Sequence, residues 1–105
     1  MSKPIPFKQD HLAWIEDWFT RQCDGDWEHE YGIKVETSDN PGWIVEIDYV
    51  GTYLEGRNFL TVDIERSEND WLKCRIESGK FKGSGGPRNL AEVLITFRHW
   101  AETQT

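Results

Sequence analysis

Two hydrophobic periods divide the chain. In "DHLAWIEDWFTRQ", residues 10 to 22, apolar side chains return every three or four positions, at Leu12, Trp14, Ile15, Trp18 and Phe19. That spacing predicts a helix with one apolar stripe. Asp10 suits its N-cap, because a carboxylate there accepts a free N–H of the first turn. Gly25 supplies a stop, since it tolerates the left-handed conformation that closes many helices. "LAEVLITFRHW", residues 90 to 100, has the same period, with Leu90, Val93, Leu94, Phe97 and Trp100 on its stripe. Pro87 fits a first turn, where a missing N–H costs nothing.

Between these helices the period falls to two. "YGIKVETS" (31 to 38) sets Ile33 and Val35 against Lys34 and Glu36, and "WIVEIDYV" (43 to 50) sets Trp43, Val45, Ile47 and Tyr49 against Glu46 and Asp48. Alternation of this kind predicts half-buried strands. The intervening "DNPG" is turn chemistry, so the pair reads as a hairpin. "NFLTVDIE" (58 to 65) places Leu60, Val62 and Ile64 on one face and Asp63 and Glu65 on the other. "DWLKCRIES" (70 to 78) turns Leu72, Cys74 and Ile76 inward and Lys73, Arg75 and Glu77 outward. "SGKFKGSGGPRN" (78 to 89) is Gly-rich and reads as irregular.

The expected fold is therefore α+β: an antiparallel sheet of four to five strands, with an N-terminal and a C-terminal helix packed on one face. The other face, carrying Glu36, Glu46, Asp48, Asp63, Glu65, Lys73 and Arg75, is expected to stay wet. The 105 residues make one domain, with residues 1 to 9, containing Pro4 and Pro6, as an extended lead-in.

Charge narrows the partners. Twelve Lys and Arg against 19 Asp and Glu leave a net charge of -7. Nucleic acid and anionic membranes are repelled on average, and a basic protein is attracted. No apolar run approaches the roughly 20 residues that span a bilayer. "MSKPIPFKQD" lacks the apolar centre of a signal peptide, so the cytoplasm is the expected location, with Cys23 and Cys74 reduced.

"CDGDWEHEYG", residues 23 to 32, gathers the side chains that hold metals and move protons. As a calcium loop it fails, because the positions that need Gly and a bidentate Glu hold His29 and Val35. As a zinc site it has only Cys23 and His29 close by, without a recognised ligand spacing. As a nucleophile, Cys23 sits beside Asp24 near a helix C-terminus, and both disfavour the thiolate. A small enzyme or metal protein built on Cys23, Asp26, Glu28 and His29 remains the alternative reading. The simpler one is a rigid acidic corner in which Asp24 and Asp26 bind backbone N–H groups and Trp27 anchors the turn to the core. "GSGGPRN" has neither the Lys-Ser/Thr of a P-loop nor GxGxxG, so its glycines read as turn residues. No catalytic residue, metal or cofactor is expected.

The blocks "WIEDWFTRQCDGDWEHEYGIKVETSDNPGW", "IERSENDWLKCRIE" and "FKGSGGPRNLAEVLITFRHWA" together resemble the Immunity protein 53 family of bacterial polymorphic-toxin systems, over about Trp14 to Ala101. "YVGTYLEGRNFLTVD" carries little of the resemblance. The resemblance implies a small cytosolic protein that binds and blocks a cognate secreted toxin, without catalysis. Many such toxins are nucleases or other enzymes with basic substrate grooves, so a basic nuclease domain is one expected partner. Complementary charge speeds such encounters, and a few desolvated aromatic anchors tighten them. Candidate partner-binding residues are Asp24, Asp26, Trp27, Glu28, Glu36, Glu46, Asp48, Asp63, Glu65 and Asp70, with Trp43 and Trp71 as further anchors near turns. A monomer or weak homodimer is expected.

Overall fold

The computed structural model describes residues 10 to 104, so the expected extended lead-in lies outside the described residues. Helix α1 (His11–Gln22) starts where Asp10 Oδ1 accepts the Ala13 N–H at 2.9 Å. A single turn, α2 (Trp27–Glu30), follows at the acidic corner. Five strands come next: β1 (Ile33–Ser38), β2 (Gly42–Asp48), β3 (Val62–Ser67), β4 (Asp70–Glu77) and β5 (Lys80–Gly85). Helix α3 (Leu90–Thr103) closes the chain. The sheet is antiparallel throughout, in the order β1-β2-β5-β4-β3.

The central strand is the one that the sequence pattern missed. β5 pairs with β2 on one side and β4 on the other, where an irregular Gly-rich segment is expected. Glycine ordinarily weakens a strand, but it also lets another backbone approach closely. Here α3 crosses β5, and a Cβ on Gly83 would collide with Val93 Cγ1. The glycine that hides the strand from a propensity reading is what seats the helix on it.

The covered face follows from the register. Val45 and Ile47 of β2, Phe81 of β5, and Leu72 and Cys74 of β4 share that face and are all buried. Trp18 of α1 and Phe97 of α3 meet edge to face at 5.0 Å, and Phe97 meets Phe81 at 5.2 Å. Aromatic rings in this geometry gain contact beyond simple burial. Leu12 departs from the expected stripe and is 64% exposed.

The third strand begins later than expected. Asn58 to Thr61 lie outside the sheet, and Leu60, expected to face inward, is 90% exposed. The Asn58 carbonyl accepts the Trp100 indole N–H at 2.8 Å, which ties this stretch to α3. Just upstream, Leu54 is fully buried and Tyr53 Oη donates to the Ala101 carbonyl at 3.0 Å. Val35 and Ile64, on the edge strands, also remain partly exposed despite facing the helix side.

Candidate functional site

At the acidic corner the backbone turns through Gly25, at φ +95°. Asp24 Oδ1 accepts the N–H groups of Asp26 and Trp27, both at 2.9 Å. Glu28 reaches back, its two oxygens accepting the Asp24 and Gly25 N–H groups at 2.9 Å each. These donors stabilise the charged forms. The Trp27 and Asp26 N–H groups lower the Asp24 pKa, and the Glu28 pKa is lowered by its own N–H first and then by those of Asp24 and Gly25.

Trp27 is not a surface anchor. It is only 6% exposed, and its indole N–H donates to the Val50 carbonyl at 2.8 Å. Its ring packs against Trp18 and Phe19. Of the two roles expected for it, anchor of the corner to the core and contact for a partner, its burial and its bond to Val50 fit the first. Asp26, by contrast, is exposed and its carboxylate has no hydrogen bond or ion pair among the described residues.

The chemistry of the Cys23 cluster is weak for catalysis. Partial burial, then Glu28 and Asp24, push the Cys23 thiol up, and the thiol donates to the Phe19 carbonyl at 3.3 Å. Among the described residues no three His, Cys, Asp or Glu side chains group as metal ligands do. Burial pushes the second thiol, Cys74, up to about 12.

The open face of the sheet is of mixed charge. One cross-strand row reads Lys34, Glu46, Lys82, Arg75, and the next reads Glu36, Ile44, Ser84, Lys73, Asp63. Asp48, Lys80 and Glu77 form a third row. Lys80 and Lys82, which the alternating pattern places on no face, stand in the middle of the sheet and divide its carboxylates. Asp48 is engaged on both oxygens, by Lys80 Nζ at 2.6 Å and by the Gly32 N–H at 2.9 Å. Its carboxylate raises the Lys80 pKa. Glu36 lies 3.8 Å from Lys34. Among the described residues, Glu46, Asp63 and Glu65 have no such partner.

Asp70 belongs to a brace. Arg66 grips Glu92 of α3 with two nitrogens, at 2.6 and 3.1 Å, and Asp70 at 2.6 Å. The buried Asn89 donates through Nδ2 to both Asp70 and Glu92. Asn89 and then Arg66 lower the Asp70 pKa, while Arg66 and then Asn89 lower that of Glu92. This links the β3–β4 hairpin to the start of α3.

A groove that the sequence reading did not find lies between α3 and the approach to β3. It encloses about 730 Å³ and is lined by Phe59, Leu60, Val62, Ile95, His99 and Trp100, among others. Ile95 was the available signal: it falls off the apolar stripe of α3 and is 40% exposed.

The fold and its surfaces define a small α+β domain whose distinguishing features lie on its exterior. The family model described as Immunity protein 53 matches residues 12 to 102, and the chain belongs to that family. No curated protein and no solved structure matches it. The resemblance read from the sequence is thereby established, and the family has an immunity function, which implies a toxin protein as partner. No helix among the described residues is long and apolar enough to cross a membrane.

Proposed function

We propose that the chain is a cytoplasmic immunity protein that binds the secreted toxin domain of its own system and neutralises it by contact, without chemistry of its own. Family membership over residues 12 to 102 carries the reading. The net charge of -7 supports a basic partner, a nuclease domain being one such class. The carboxylates best suited to meet it are Asp26 at the corner and Glu46, Asp63 and Glu65 on the sheet, because none is committed to another described residue. Charges already hydrogen-bonded at home still contribute to the field that steers encounter. The anchor role falls to Trp71, half-buried and directly opposite Glu65, in a shallow hollow shared with Glu68 and Lys73. The Trp43 indole N–H is taken by the Pro87 carbonyl at 3.0 Å.

Titration calorimetry with the toxin domain encoded in the adjoining gene tests this. A one-to-one complex whose affinity falls with rising salt is expected. Absence of binding contradicts the reading.

A further inference from the structure

Building on that reading, we propose that the toxin is gripped at the β3 edge. An extended segment of the partner, alternating apolar and basic side chains, pairs with the free side of β3 and drops its apolar side chains toward the groove under α3.

β3 ends the sheet, and among the described residues no strand lies beside its outer N–H and C=O groups. Such an edge is a template for an added strand. Its two faces differ in kind. Val62 and Ile64 share the helix side with buried Cys74 and Leu72, and Val62 lines the groove together with Leu60 and Ile95. Asp63 and Glu65 point to the open side, and neither has a partner among the described residues. An added strand sets its own side chains beside these two rows, so its matching sequence is apolar toward the groove and basic toward Asp63 and Glu65. The register shift between Glu65 and Ser67 limits the pairing, because a bulge interrupts the ladder.

The opposite edge is poorer in each respect. β1 presents Lys34, a residue type that guards edges, and its Glu36 is paired with that lysine. The hollow lined by α1 and Ile33 of β1 encloses about 240 Å³. On β3 the basic residue is Arg66, whose guanidinium is held by Asp70 and Glu92. A second copy of this chain suits the β3 edge less well than a basic segment. Antiparallel self-pairing brings the Asp63 and Glu65 carboxylates of the two copies onto one face, and like charges there repel.

Hydrogen–deuterium exchange of the complex with the toxin domain from the adjoining gene is the test, alongside affinities of three double variants. Amides of residues 62 to 66 gain protection on binding, while those of 33 to 38 do not. Leu60→Arg/Ile95→Arg and Asp63→Lys/Glu65→Lys each weaken binding by about tenfold or more, the scale of interface hot spots. Val35→Ser/Thr37→Ala on β1, which keeps the charge unchanged, leaves affinity within about twofold. Circular dichroism checks that each variant is folded; all six residues are exposed in the structure. Toxin binding with protection elsewhere and both β3-side variants at full affinity overturns the edge proposal and leaves the immunity reading standing. No binding by the wild-type chain overturns the immunity reading itself. A concentration-dependent dimer that protects residues 62 to 66 in the absence of toxin assigns the edge to a second copy and overturns the proposal. Loss of protection at 62 to 66 in the free protein on deleting residues 1 to 9 assigns it to the chain's own start and does the same.

Discussion

The acidic corner and the β3 edge look alike as sequence and differ as surfaces. Both alternate carboxylates with large apolar side chains. At the corner Asp24 and Glu28 satisfy backbone N–H groups and Trp27 fills the core, so charge and aromatic surface serve the fold. At the edge Asp63 and Glu65 have no partner among the described residues, and Leu60 and Ile64 are left uncovered. A charged residue is available to a partner only when the local backbone does not need it. At a tight turn several unpaired N–H groups converge on nearby carboxylates, whereas the free N–H groups of an edge strand point sideways from the sheet, away from the side chains on either face.

Breaking the corner gives the largest expected effect. Trp27→Ala removes a buried indole and its bond to Val50, and is expected to lower stability by about 3–5 kcal/mol in urea unfolding. A loss below about 1 kcal/mol contradicts the structural role assigned to the corner. Next comes the brace behind the edge. Asn89→Ala leaves Asp70 and Glu92 without their shared amide donor and is expected to cost about 1–3 kcal/mol. It also loosens the β3–β4 hairpin, which faster amide exchange at residues 70 and 71 would report.

Acid sharpens the comparison further. The pKa values of Asp24, Glu28, Asp70 and Glu92 are lowered in the folded chain. Groups with depressed folded pKa values contribute stability that is fully present above their unfolded values and lost as pH falls through the folded ones. The melting temperature is therefore expected to hold down to about pH 5 and to fall below about pH 4. Asp24→Asn, which keeps an acceptor but no charge, flattens part of that decline. A decline of unchanged steepness in the variant removes Asp24 from the account.

The smallest effect is expected at the edge. Leu60→Ser changes a side chain that is 90% exposed and is expected to shift stability by within about 0.5 kcal/mol. A larger loss shows that Leu60 is part of the fold and not a free surface.

Both long helices, both members of the β1–β2 hairpin and strand β4 were legible, because their periods are uninterrupted. β5 was not, since Gly83 and Gly85 argue against a strand until the helix crossing above them is known. That omission also concealed the mixed charge of the open face, which depends on Lys80 and Lys82 occupying its centre. The alternation around Leu60 is genuine, but Trp100 holds the Asn58 carbonyl and delays the strand to Val62. At the corner the residue types were read correctly as turn-forming and Trp27 as an anchor to the core, while its carbonyl partner, Val50, followed only from tertiary packing. The groove left only Ile95, off the apolar stripe of α3, as a trace in the sequence, because it joins residues 59 to 62 to one side of a helix more than thirty positions away.

The central claim is inhibition by stoichiometric contact. Titrating a fixed amount of the toxin domain with this protein, and following the toxin's own activity, measures it directly. The account predicts that activity falls linearly and vanishes at one molecule of protein per molecule of toxin. Activity that persists past equivalence, or that is abolished progressively by a small fraction of an equivalent, contradicts it.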